Sequence, residues 1–405
     1  VVIAGALALI LVLSIGRLVS TTHPTNDSIH YLEIARHGLW NNPALAAPFA
    51  YRPGTPLLVW IMYSTMAVSP ETGFGVVAFL ASWGLLIATY LLAHSVDGGF
   101  LRGLVVMGVV AFSFFHVKFP LAVPTRIDVE AFSLITIATW LLVRNRPASV
   151  LLLSCVGLFF KEFLLIPGVL LLIAKVAEYR STRAAGPLVW LIASISLLFA
   201  CFTIPRMVIP VSVAYGDNFY WNLSTASHFG YFQNLKYLLP GWPDSGKATN
   251  IVFSLCSYWL PVFLLVTPGR VRTAWERLSH LRVAFVCHVV MVLVLSAIGG
   301  SNVMIFVAYT GPFMVIFLTL ILATDVHPIE CAMMLAAICV FNRIPWVADG
   351  VPTAEDLMSF YAGWRSVVDT TTLHRAIEIA LYLLAFVAVR VALRRRFRRA
   401  AASPP

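Results

Sequence analysis

Apolar runs of membrane-spanning character follow one another along almost the whole chain, and short polar connections between them hold most of the charge. A hydrocarbon core about 30 Å thick asks for about 20 apolar residues per helix, and fewer where neighbours shield a short one. Val1–Val19 meets that length. Further runs lie at Phe74–Ala93, Gly103–Val117, Val123–Val143, Val150–Phe160, Phe163–Val176, Leu188–Ile204, Ile251–Val266, Val283–Ile298, Met304–Ala323, Ile329–Phe341 and Ala376–Val391. Of the 405 residues, 60% are hydrophobic and 11% charged, against roughly 45–50% and 25% in soluble domains. Such a chain cannot make a water-exposed surface of ordinary polarity. A soluble enzyme, a secreted disulfide scaffold and a disordered protein are excluded. The expected fold class is all-α, a polytopic integral membrane protein forming a single transmembrane domain over residues 1–405.

The segment from Pro53 to Val68 decides the topology. It is apolar but short and opens on Pro53 and Pro56. If it crossed, Arg144, Arg146, Lys175, Arg180 and Arg183 would lie outside. If it lies along the membrane, these residues fall inside with Arg270, Arg272, Arg277, Arg282 and the tail Arg394–Arg396, Arg398 and Arg399. The positive-inside rule selects the second arrangement. It gives about twelve spans, both termini cytoplasmic, and three long extracytoplasmic loops: 20–72, 205–250 and 342–374. Loops longer than about 12–15 residues are usually functional, so chemistry is expected on that side. Val1 stands where an initiator Met would, which implies cytoplasmic residues ahead of it. A signal peptide is the competing reading of this run, weakened by its length and the want of a small-x-small cleavage site.

The net charge of +10 is dispersed in short clusters between apolar runs, as topology signals are, and no nucleic-acid partner is expected. The six cysteines lie in or beside apolar runs without metal-ligand spacing and read as small hydrophobes. CxxC, HExxH, P-loop and GxGxxG motifs are absent. No cofactor is expected, with a divalent metal left open.

Within the first loop, Ile29, Leu32, Ala35 and Leu39 recur at helical spacing, predicting a short amphipathic helix that Gly38 ends. Asp27 heads it, with Tyr31 one turn on. An Asp there also serves simply as an N-cap. Tyr51-Arg52-Pro53 opens the next helix. Lys161-Glu162 interrupts an apolar stretch, and Arg126 and Asp128 open another span on the same side. Embedded charges face a protein-lined cavity or snorkel to the interface. The competing reading of Lys161-Glu162 is a self-neutralising structural pair, and that of Arg126-Asp128 is snorkelling or a structural salt bridge. In the second long loop, Tyr215–Asn222 and His228–Phe232 mix aromatics with amides, fitting a sugar platform or an interfacial belt.

Three of these stretches resemble motifs of GT-C glycosyltransferases, among them the mannosyltransferases and aminoarabinose transferases. Asp27-x-x-x-Tyr31-Leu32-x-Ile34-Ala35 is similar to their first-loop motif. Tyr51-Arg52-Pro53 with Pro56-Leu57-Leu58 is similar to the start of their second juxtamembrane helix. Gly157-Leu158-x-x-Lys161-Glu162 before Ile166-Pro167 resembles the turn between two of their short spans. There are departures. A late outer-face Arg of many relatives is missing between Gly299 and Pro312, where Asn302 or Tyr309 would take its part. Asn26 precedes a single Asp27 where other members carry paired carboxylates, which argues against the metal-dependent oligosaccharyltransferase type.

The resemblance implies two juxtamembrane helices in the first loop. It also implies transfer of a sugar from a polyprenyl-phosphate donor to an extracytoplasmic glycan, lipid or protein acceptor, at the membrane lipid surface. Phosphate departs without a general acid, so one carboxylate suffices to take the acceptor proton, and Asp27 is the candidate base. Single-base inversion at the anomeric carbon is the expected course. Arg52, Lys161 and, less centrally, Arg126 are the candidate donor-phosphate ligands. His30, Tyr31, Tyr51, Asp128, Glu162, Asn302 and Tyr309 complete the expected substrate-binding set. A transporter or flippase of lipid-linked substrate, or a non-catalytic partner of the same fold, are the alternatives.

Overall fold

A single long helix organises the bundle. In the computed structural model, Pro70–Asp97 runs unbroken for 28 residues, about 42 Å at 1.5 Å per residue. Its ends are specified locally: the Ser69 hydroxyl accepts from the Thr72 N–H, Pro70 occupies the first turn, and Gly98 turns the chain away at φ +75°. The structure describes residues 1–19, 27–40, 42, 45, 49–209, 251, 252, 254, 255, 259–298, 303–346 and 370–402.

The helices are α1 (Val2–Gly16), α2 (Asp27–His37), α3 (Gly54–Met66), α4 (Pro70–Asp97), α5 (Phe100–Ala111), α6 (Phe119–Ala122), α7 (Asp128–Val143) and α8 (Pro147–Gly157). There follow α9 (Leu165–Thr182), α10 (Ala185–Val208), α11 (Pro268–Leu278), α12 (Arg282–Ile298), α13 (Val303–Ala308), α14 (Gly311–Leu322), α15 (Pro328–Phe341) and α16 (Thr370–Ala402). Among the described residues there is no β-strand. α4 packs on α1, α3, α5, α7 and α14. Small residues permit the closest of these approaches: Ala78, Ser82 and Ala88 on α4 are buried, as are Ala131, Ser133 and Ala138 on α7. α10 turns the opposite kind of surface outward, with Val189, Phe199 and Met207 each more than half exposed (65%, 64% and 59%). Lipid is the solvent such a face requires.

Three helical segments among the described residues are long and apolar enough to cross a bilayer: Pro70–Asp97, Ala185–Val208 and Pro268–Ala297. A fourth arises if Phe100–Ala111 and Phe114–Ala122, bent by 72°, form one span. Val2–Gly16, Pro147–Gly157, Gly311–Leu322 and Pro328–Phe341 are shorter apolar helices. α3, with 13 residues, is about 20 Å long, short of the hydrocarbon thickness.

Two expected spans are not continuous. Gly103–Val117 breaks at Ser113 into a π-helical turn, and Pro120 cannot donate to the carbonyl of residue 116 four positions back. Met304–Ala323 is two helices rather than one. Pro312 lacks the N–H that would bond the Ala308 carbonyl, and His116 Nε2 supplies a donor to that oxygen at 3.2 Å. His288 Nε2 donates to the next carbonyl, of Tyr309, at 2.8 Å. The broken ladder is satisfied by two buried imidazoles. The run Ile251–Val266 also differs, ending in a 3-10 turn at Leu260–Leu264.

Lys118 closes another helix end. Fully buried, its ammonium donates to the carbonyls of Arg343 and Ile344 at 2.9 Å each, and to that of Trp346, just beyond α15. Three carbonyls of the turn that follows the helix share one cation. Removing a buried hydrogen-bond partner costs about 1–3 kcal/mol per group left unsatisfied. Lys118→Met should therefore lower unfolding free energy by about 3 kcal/mol, read as a reduced thermal midpoint in detergent. An unchanged midpoint would show the cap to be dispensable.

Candidate functional site

The turn between α8 and α9 reverses sharply because Gly157 has no side chain: a Cβ there would lie 2.4 Å from the Leu164 side chain. The N–H groups of Phe160 and Lys161 both close on the Gly157 carbonyl, at 2.8 and 2.9 Å. The reversal presents Lys161 and Glu162 at one end of the bundle. Each pairs with another element. Lys161 Nζ donates to Asp128 Oδ1 at 2.7 Å, with both side chains more than 90% buried. Glu162 accepts from Arg52 Nε at 3.1 and 3.0 Å, and from an Arg206 terminal nitrogen at 3.4 Å.

Other elements complete the cluster. The break between α13 and α14 delivers Tyr309, whose hydroxyl donates to the same Asp128 oxygen at 3.2 Å and whose ring stacks on Phe163 at 4.0 Å. Arg52 also donates to the Tyr31 hydroxyl on α2 at 3.4 Å. Arg126 is 4% exposed, and its charge acts on Asp128 together with that of Arg52. Arg206 lies over the rings of Phe202 and Tyr51, 3.7 and 5.3 Å from the centroids. Glu130, in the first turn of α7, interacts with Asp128 and Lys161. Among the described residues, four cations (Arg52, Arg126, Lys161 and Arg206) are thus gathered with three carboxyl groups (Asp128, Glu130 and Glu162). Such a set can take up an anionic oxygen group without importing further cations.

Backbone close packing fixes the two halves of the cluster together. The Gly54 N–H donates to the Phe159 carbonyl at 2.8 Å, joining the start of α3 to the α8–α9 turn. A Cβ on Gly54 would sit 2.8 Å from the Phe160 ring. α2 is anchored by Thr125, which donates to the buried Ser28 hydroxyl at 2.7 Å.

The expected site residues therefore divide. Arg52, Lys161, Arg126, Asp128, Glu162, Tyr31 and Tyr309 come together. Tyr51 joins them through Arg206. His30 stacks on Phe49, with centroids 4.6 Å apart, and Phe49 in turn packs edge-on against Tyr31. Asp27 is the first residue of α2, next to the anchored Ser28, but its side chain lies outside the described residues. So do Asn26, Asn302 and the aromatic loop positions 215–222 and 228–232. Arg206 is the residue that sequence reasoning missed. It follows Pro205 at the end of the run Leu188–Ile204, and the argument applied to Arg52 would have found it there. A cavity of about 10 Å³, bordered by Thr89, His116 and Pro312, has none of the cluster's charged residues in its lining. Among the described residues no three His, Cys, Asp or Glu side chains converge as a metal centre requires.

No family model matches the chain, and no curated protein does. Among solved structures the chain is similar to ArnT from Cupriavidus metallidurans, crystallised in the apo state, with a TM-score of 0.51 and 14% identity over 97% of this chain and 72% of that one. The chain shares the fold of that structure. The all-helical architecture expected from the sequence is borne out to that extent.

Two predictions follow from the cluster. Gly54→Ala forces an overpacked contact costing about 1–3 kcal/mol, and Phe160→Leu in the same chain should recover most of it; a double-mutant cycle on thermal midpoints measures the coupling. The second concerns acid. Burial raises the Glu162 carboxyl, but the charges of Arg52 and Arg206 outweigh it and hold it down, from a usual 4.5, at about 2. A lowered carboxylate pKa stabilises the folded state above the unfolded value, and that contribution is lost as pH falls from about 4.5 toward 2. Glu162→Gln should remove this part of the acid dependence; midpoints that still fall in parallel with wild type across the window would refute it.

Proposed function

We propose that this chain is a membrane glycosyltransferase of the GT-C type, moving a sugar from a polyprenyl-phosphate donor to an acceptor on the extracytoplasmic side. The observation that carries the reading is the positively charged cluster at one end of an apolar bundle, with α2 tethered to it through Ser28 and Tyr31. The fold likeness is consistent with it.

In the proposed reaction, negative charge builds on the departing phosphate while positive charge spreads over the anomeric carbon. Cations already held in place stabilise the first without reorganisation. Arg52 offers a planar fork to phosphate oxygens, and Lys161 a compact point charge. The ion pairs with Glu162 and Asp128 orient these groups in advance, and Tyr309 adds a hydroxyl donor to the same region. Phosphate needs no proton to leave, unlike the sugar alkoxide of a glycosidase, which generally needs a second carboxyl. One base for the acceptor hydroxyl then suffices. Asp27, at the head of α2, takes that role, and attack opposite the phosphate inverts the anomeric centre.

The test is transfer in proteoliposomes supplied with tritium-labelled polyprenyl-phosphate sugars and an envelope lipid extract as acceptor. Asp27→Asn should lower the rate about 10²–10⁴-fold with the protein still folded and donor binding retained. Undiminished transfer would falsify the assignment of Asp27 as base.

A further inference from the structure

Two cysteines that the sequence places 46 positions apart (201 − 155) meet in the fold. Cys155 on α8 and Cys201 on α10 belong to one apolar cluster with Val150, Leu158, Leu171 and Leu198. Their helices pack directly on each other, and the two side chains are close enough to interact electrostatically. Both are free thiols. Cys155 is buried at 6% exposure, whereas Cys201 is partly exposed.

Their position gives the meeting its interest. Cys155 stands just before Gly157, whose reversal presents Glu162. Cys201 stands just before Arg206, which reaches Glu162 at 3.4 Å. The thiol contact and the ion pair join the same two stretches of chain. The ion pair alone leaves α10 free to shift with its guanidinium; a covalent bond behind it would not.

We propose that Cys155 and Cys201 are a disulfide-forming pair that ties α8 to α10 behind the Glu162–Arg206 contact, oxidised by thiol–disulfide exchange with a disulfide-bearing compound. Cys201, the more exposed, loses its proton and attacks one sulfur of the oxidant. The oxidant's S–S bond breaks, and half of it leaves as a thiol. Cys155 then loses its proton and attacks the Cys201 sulfur, expelling the second half as a thiol. Two protein thiols are oxidised, one external disulfide is reduced to two thiols, and two protons pass to the departing sulfurs. The bond would be favoured in an oxidising compartment and absent in a reducing one.

The full chain in detergent micelles is treated with dithiodipyridine, an apolar disulfide that partitions into the apolar phase, blocked with N-ethylmaleimide, and digested with trypsin without reductant. Cleavage at Arg144, Lys161, Arg183 and Arg206 separates the two cysteines into peptides 145–161 and 184–206. The expected product is these two peptides joined, holding most of the Cys201 signal, lost on reduction and absent from Cys201→Ala. Recovery of Cys155 and Cys201 as separate adducts, or joined to other cysteines, would overturn the proposal. Because the wild-type peptide map is decisive alone, a variant that fails to fold does not obscure the result. Glycosyl transfer is not part of the readout, so the outcome stands apart from the proposed activity.

Discussion

An ionised side chain inside an apolar bundle is tolerable only when its partner is already there, and the Lys161–Asp128 pair imposes that condition on everything around it. Leaving either member alone costs about 3–5 kcal/mol, more than a single packing contact contributes. The two residues come from different elements, the α8–α9 turn and the start of α7, and must arrive together. Tyr309 reaches the same carboxylate from the α13–α14 break, and Arg52, just ahead of α3, and Arg206, on α10, bind the neighbouring Glu162. A handful of polar contacts therefore brings the sequence-distant parts of the chain to one end. Apolar packing along α4 holds the rest but does not choose that end.

Much of this was legible in the sequence. The runs Phe74–Ala93 and Leu188–Ile204 lie inside α4 and α10, because a long apolar stretch closed by Ser69 and Gly98, or by charged ends, leaves few alternatives. Arg52, Lys161 and Asp128 stood out because charge is rare here, and rarity is what makes an embedded residue informative. The pairing was not legible: Lys161 and Glu162, adjacent in sequence, could also be read as mutual partners, and only packing sends them to different elements. The division of Met304–Ala323 was hidden because an apolar run looks the same whether its ladder is continuous or handed to His116 and His288. The meeting of Cys155 and Cys201 was invisible for the same reason, since spacing carries no information about which helices touch.

Basic residues do a second task in this chain. Lys118 closes the end of α15, the Arg270 guanidinium donates to the carbonyls of Leu265 and Asp325 as well as to Glu330, and Arg390 donates to that of Val266. Each satisfies carbonyls that a helix end or turn would otherwise leave open. Arg270, read from the sequence as a topology signal, is thus also a backbone cap.

The adjacency of Lys161 and Glu162 has a consequence for how the chain finds its register. Lys161 sits on extended backbone, at φ −160° and ψ 144°, where consecutive side chains leave on opposite sides. A slip of one position that carried Lys161 into the place of Glu162 would aim its ammonium at the two guanidiniums of Arg52 and Arg206. That contact would change from attraction to repulsion. The misthreaded chain is rejected by charge alone, so two neighbouring letters of opposite sign act as a parity check on the assembly of the whole bundle.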